Sequence, residues 1–259
     1  MNDIAGKAKA LFEKNEIDIF IGYEKGTRSP RPCFASNAEE TERLIFDETC
    51  SGNLAVYLIR KDLTGGKRVG IAASYHALIN ISQLFKENQL KAENLRIFNV
   101  AGKELASVED ILQYLKETPF PANPKVNELF NRIDAMTREE RWKFWSDELS
   151  KCFKCYACRS ACPMCYCTQC IVEVNRPQWV QPWASPLSNM EWQINRVMHM
   201  SGRCSGCGAC SAACPVDIPV HLLTHKVWAA SMEHFGGAEE GKGNVLSTFK
   251  PDDKESFIL

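Results

Sequence analysis

Two stretches decide how this chain is read: Cys152-Phe153-Lys154-Cys155-Tyr156-Ala157-Cys158-Arg159-Ser160-Ala161-Cys162-Pro163 and Cys204-Ser205-Gly206-Cys207-Gly208-Ala209-Cys210-Ser211-Ala212-Ala213-Cys214-Pro215. Each is a Cys-x-x-Cys-x-x-Cys-x-x-x-Cys-Pro run. Three thiolates spaced this closely on a tight loop can bind three irons of one cubane. The fourth, after a longer step and held by proline, reaches away to a second cubane. The expected ligand sets therefore cross. One 4Fe–4S cluster takes Cys152, Cys155, Cys158 and Cys214, and the other takes Cys204, Cys207, Cys210 and Cys162. Structural zinc favours paired Cys-x-x-Cys knuckles, a different pattern. Gly206 and Gly208 suit a loop whose backbone approaches a cluster closely.

Eleven of the thirteen cysteines fall between Cys152 and Cys214. A disulfide framework belongs to small secreted domains, so metal ligation is the better reading of so many thiols. Cys165, Cys167 and Cys170 follow the first run directly. With Cys50 as fourth ligand, and Cys33 as second choice, they form a candidate third 4Fe–4S cluster. The alternative is that they are packed, unreactive thiols. Lys151, Lys154, Arg159 and Arg203 flank the motifs, where positive charge favours the reduced cluster and raises its potential, unless they are only solvated surface groups. His199 ends a helix near Cys204 and reads as a helix-end residue. Trp142, Phe144, Trp145, Trp179, Trp183 and Trp192 are expected to shield the clusters from water.

Outward from the motifs the chain divides. Residues 1–120 alternate helix and strand patterns: a helix over 3–14, strands over 17–23, 54–60, 68–74 and 95–100, and helices over 76–90 and 108–115. This order predicts an α/β domain with some parallel pairing. Pro119, Pro121 and Pro124 break the pattern and mark a boundary. Residues 125–235 read as a helical domain containing a bacterial two-cluster ferredoxin-type module. Capping boxes are expected at Thr137/Glu140 and Ser188/Glu191. Residues 236–259 read as a polar tail. A net charge of −1 argues against nucleic acid. No stretch has the ~18 apolar residues of a membrane span, and no secretory or twin-arginine signal opens the chain, so a cytoplasmic protein is expected.

The first motif with its continuation Met164-Cys165-Tyr166-Cys167, and the run Arg203-Cys204-Ser205-Gly206-Cys207, resemble the iron–sulfur beta subunits of deazaflavin-coenzyme-reducing hydrogenases and formate dehydrogenases. They are also similar to homologues in heterodisulfide-reductase-type complexes. Ile21-Gly22-Tyr23-Glu24-Lys25-Gly26 and Asn53-Leu54-Ala55-Val56-Tyr57-Leu58 carry the resemblance into the N-terminal part. It implies an electron-relaying subunit of an anaerobic oxidoreductase complex, working with a catalytic hydrogenase, formate dehydrogenase or heterodisulfide-reductase-like partner. Flavin-binding members have a lysine-glycine-cysteine-aspartate turn where this chain reads Ser74-Tyr75-His76-Ala77, which argues against FAD. No dinucleotide glycine fingerprint is present either. The competing readings are a flavin- and iron–sulfur-containing enzyme that reduces a soluble carrier, with His76 at its ligand-binding loop, and a redox-sensing cluster protein.

Overall fold

In the computed structural model, residues 3–27, 29–121, 123–174 and 176–235 are described, so the tail expected over 236–259 lies outside them. The N-terminal part is a mixed five-stranded sheet in the order β2-β1-β3-β4-β5. Its strands are β1 Ile19–Glu24, β2 Arg31–Ala35, β3 Val69–Ala72, β4 Leu95–Phe98 and β5 Glu104–Leu105. β1, β3 and β4 run parallel, with Ile71 opposite both Ile21 and Ile97. β2 and β5 close the edges antiparallel. Every residue of β1 and β3 is buried, because both faces of the sheet are covered. Helix α1 (Ile4–Glu13) packs Ile4, Ala8 and Leu11 against Phe20 and Phe98 on one face. On the other face, α3 (Tyr75–Lys86) and α4 (Val108–Glu117) bury Leu78, Ile81 and Ile111 against Ile19, Ile21 and Ile71.

The strand expected over 54–60 is not formed. Residues Leu54–Tyr57 make a 3-10 turn in which the Asn53 side chain accepts from the Ala55 N–H, and α2 (Lys61–Thr64) follows. The segment is apolar because Leu54, Ala55 and Leu58 are packed into the core cluster that holds Ile19, Ile21 and Ile71. The proline segment is irregular, and Phe120 within it packs against Tyr75 and His76 and stacks on Trp228.

Beyond it come helices α5 (Pro124–Asp134), α6 (Arg138–Ser150), α7 (Ala157–Ser160), α8 (Pro186–His199), α9 (Ala209–Ala212) and α10 (Val220–Phe235). The Thr137/Glu140 capping box opens α6 as expected. The one expected at Ser188/Glu191 is displaced. Ser185 caps α8, accepting from the Ser188 N–H, with Pro186 at the first helical position, where its fixed φ suits the turn. Ser188 instead uses its hydroxyl inside the domain, donating to the carbonyls of Gln181 and Trp183. No helix among the described residues is long and apolar enough to cross a membrane.

Candidate iron–sulfur centres

The two cysteine loops have one backbone form. Lys154 and Tyr156 have φ of 57° and 58°, and their counterparts Gly206 and Gly208 have 71° and 73°. The left-handed residue at the second of these places leads directly into a one-turn helix, α7 or α9. The same geometry aims an N–H back at the first thiol. Lys154 N donates to Cys152 Sγ at 3.4 Å, and Gly206 N donates to Cys204 Sγ at 3.3 Å. Ile218 N donates to Cys214 Sγ at 3.4 Å. Gly208 serves the dihedral alone, since a β-carbon there would meet no described atom within 4 Å, whereas one on Gly206 would come within 3.2 Å of the His225 ring.

The crossed sets gather in space. Cys152, Cys155, Cys158 and Cys214 line one cavity, walled by Phe153, Tyr156 and Trp192. Burial, then the neighbouring Cys207, Cys162 and Cys210 thiols, push Cys204 up to about 12. One thiol from each motif, Cys204 and Cys162, packs against the same small apolar cluster around Met200. Cys158 and Cys210 share one core cluster, so the two sets are neighbours.

The surroundings fit a buried negative group. α8 turns Asn189, Trp192, Gln193 and Arg196 inward at i, i+3, i+4 and i+7. Asn189 Nδ2 donates to the carbonyl of Cys152 at 2.6 Å, and Gln193 Nε2 lies 3.9 Å from Cys152 Sγ. Arg196, only 3% exposed, gives one N–H to the Cys158 carbonyl at 3.1 Å. Among the described residues its Nε and Nη1 have no hydrogen-bond partner, nor has Trp192 Nε1. Burial opposes the Arg196 charge. The thiols of Cys210, Cys162, Cys165 and Cys158 outweigh it, and the guanidinium is held more strongly basic than usual. Thiolates carrying iron are the acceptors such a setting lacks. Sequence reasoning missed this face. Its signal was a polar stripe on a helix whose other face carries the exposed Leu187, Ile194 and Met198.

The remaining expected residues are scattered. Cys165 shares a hydrogen bond with Cys162, which with burial pushes the Cys162 thiol up. Cys170 packs beside Cys152 and Tyr156, and Cys167 is exposed. Cys50 lies in the sheet domain's core, with burial raising its thiol and Asp47 at 3.8 Å. Cys33 is buried in the core cluster on the opposite face. Of the flanking cations, Lys151 pairs with Glu148, Arg159 with Glu173 and Arg203 with Glu87. Lys154 is 6% exposed, and its ammonium donates to the Gln181 carbonyl and Ser188 Oγ. The aromatic shield is largely absent. Trp192 is buried, but Trp142, Trp179 and Trp183 are exposed, because the inward positions beside the thiols are taken by polar groups of α8.

The sheet domain meets the second loop through a polar stripe on α3 and the residue after it. His76 Nδ1 lies 2.7 Å from the Ser205 carbonyl. Asn80 accepts from Ser205 Oγ at 2.7 Å and donates to the Arg203 carbonyl. Gln83, Tyr166 and Arg203 all donate to Glu87. His199 supplies only a carbonyl, which accepts from Arg203.

Residues 148–218, containing both motifs, match the 4Fe-4S dicluster domain family. The cysteine-rich part is therefore a 4Fe–4S domain. Two curated relatives are similar over part of the chain. The F420-dependent formate dehydrogenase subunit beta of Methanocaldococcus jannaschii is 36% identical over 89 residues, 34% of this chain and 22% of that protein. The F420-dependent formate dehydrogenase 1 subunit beta of Methanococcus maripaludis is 34% identical over 92 residues, 36% of this chain and 23% of that protein. The resemblance to iron–sulfur beta subunits is borne out to that extent, and the chain spans less than a quarter of the length of these relatives.

Proposed function

We propose that this chain is the electron-transfer iron–sulfur subunit of an anaerobic oxidoreductase complex, relaying electrons between a catalytic partner subunit and a redox carrier. The observation that carries the reading is the gathering of Cys152, Cys155, Cys158 and Cys214, drawn from both motifs, around one cavity, with the buried Arg196 against the Cys158 carbonyl. The first centre is assigned to Cys152, Cys155, Cys158 and Cys214, and the second to Cys204, Cys207, Cys210 and Cys162. Bound there, two 4Fe–4S cubanes supply one-electron chemistry at low potential. The chain's own part is to bring the thiols together, donate N–H groups to their sulfurs and keep the two centres adjacent. Residues 1–120 form an α/β domain that braces the second loop through α3, and residues 125–235 form the helical dicluster domain. The catalytic partner is of formate dehydrogenase, hydrogenase or heterodisulfide-reductase type. The names of the relatives make a deazaflavin of the F420 kind a candidate carrier.

For a third cubane on Cys50, Cys165, Cys167 and Cys170, Cys50 lies in the sheet's core cluster, while Cys165 and Cys170 pack against two other clusters, beside thiols of the two centres. Two are proposed, on the two complete Cys-x-x-Cys-x-x-Cys-x-x-x-Cys-Pro runs. The test is anaerobic purification with iron, acid-labile sulfide and flavin counted on one sample. About eight irons per chain without flavin is expected for two cubanes. About twelve would restore the third cluster. Bound flavin would favour an enzyme that reduces a carrier itself.

A further inference from the structure

We propose that His76 is a positioning residue of the second centre: by holding the Ser205 carbonyl it fixes and polarises the peptide whose N–H donates to the Cys204 sulfur. The inference rests on the two-centre reading above. Two contacts sit at opposite ends of one peptide group. His76 Nδ1 lies 2.7 Å from the Ser205 oxygen, and Gly206 N lies 3.3 Å from Cys204 Sγ. A carbonyl oxygen only accepts, so Nδ1 carries the proton and donates. The Ser205–Gly206 peptide is planar and trans, so its C=O and N–H point in opposite directions. A donor held against one end therefore fixes the aim of the other. It also draws charge along the group, so that the N–H donates more strongly.

The imidazole is itself held in place. It lies in the first turn of α3, just after the Ser74 cap, and Tyr75 and Phe120 pack edge-on against it. One turn further on, Asn80 grips both neighbours of Cys204. Its Oδ1 accepts from Ser205 Oγ at 2.7 Å, and its Nδ2 donates to the Arg203 carbonyl at 3.3 Å. The loop is seated close, since a β-carbon on Gly206 would come within 3.2 Å of His225 and 3.4 Å of Phe120. The first loop supplies the comparison. Lys154 N donates to Cys152 Sγ at 3.4 Å in the same way, but the carbonyl of that peptide belongs to Phe153, which is exposed. Reduction adds one negative charge to a centre, and an N–H donated to its sulfur favours that state. His76 thus makes the second centre easier to reduce and leaves the first largely unaffected.

The experiment is an anaerobic redox titration, followed by electron paramagnetic resonance, of the full chain and of His76→Leu and His76→Asn. Cys155→Ser identifies the step that belongs to the first centre. With iron unchanged, His76→Leu should lower the reduction equilibrium of the second centre about threefold or more, about 28 mV for one electron. The first centre should move less. His76→Asn, whose amide N–H can take the place of the ring N–H, should recover most of the difference. A loop that was merely loosened would admit water, which favours the more negative state, and the second step would rise instead. Such a rise, equal shifts in both steps, no shift, or no recovery in His76→Asn overturns the proposal. If His76→Leu fails to load iron, His76→Asn decides. Loading with a near-native second step supports the positioning role, and any other result overturns it. A wild-type protein with well under about eight irons, or without two reversible steps, would instead sink the two-centre reading.

Discussion

In the loop over 152–158 the two left-handed positions are held by Lys154 and Tyr156, and in the loop over 204–210 by Gly206 and Gly208. Glycine adopts that conformation freely, whereas a side chain costs about 1–2 kcal/mol at each place. The first loop offsets this cost within its own domain. Lys154 is hydrogen-bonded to Gln181 and Ser188, and the Tyr156 ring meets Trp192 edge-on at 5.3 Å. The second loop is held by α3 and by Glu87 just beyond it, with His225 of α10 and Phe120 close against Gly206. One backbone form is thus secured in two ways, by the first loop's own side chains where it is exposed and by α3 and its flanking residues where the second loop is covered.

The external clamp is the place to break this comparison hardest. Glu87 and Arg203 have side chains only 1% and 12% exposed. Glu87→Ala strands Arg203 and the Tyr166 hydroxyl, and should cost about 3–5 kcal/mol in denaturant unfolding. Iron loss under mild denaturant should then begin at the second centre. The inner anchor is weaker, since Tyr156 is only half-buried. Tyr156→Ala keeps the strained dihedral but loses the ring, and should cost about 2 kcal/mol. An unchanged midpoint would mean that Trp192 does not support the loop.

At the equivalent place in the other loop, Gly208→Ala meets no atom, so its cost should be the dihedral alone, about 1–2 kcal/mol. Gly208→Asn should cost less, because asparagine tolerates left-handed backbone. If both variants matched wild type, the glycine would be dispensable. The smallest effect expected is with pH. Burial lowers the basicity of His76, His221 and His225, with His225 also repelling the other two. They stay neutral in the fold while the unfolded chain takes up protons near its ordinary value of 6.5. Stability should therefore fall as pH drops below about 6.5 and be regained above it. Unfolding curves across that range should slope less in His76→Gln.

Much of the fold was legible because its elements obey local rules. The β-branched run at Ile19–Glu24, the spacing of Leu78, Ile81 and Leu84, and the Thr137 cap each carry their own signal. β2 was not legible, because Pro32 disguises a strand that survives only at a sheet edge. The run over 54–60 misled for the opposite reason: strand-like composition can also serve a buried turn. His76 carried little weight as a lone histidine, and only its approach to Ser205 gives it a role.

The sequence by itself determined the chemistry of the centres. Thiol spacing within a loop sets which irons its cysteines can reach, and that is a short-range property of the chain. Only the tertiary structure decided their surroundings. Arg196 lies 38 residues from Cys158, whose carbonyl it meets, and Glu87 lies 116 residues from Arg203. Whether a charged residue on a helix faces water or a buried thiol depends on what packs against that helix, and no local pattern in the chain encodes it.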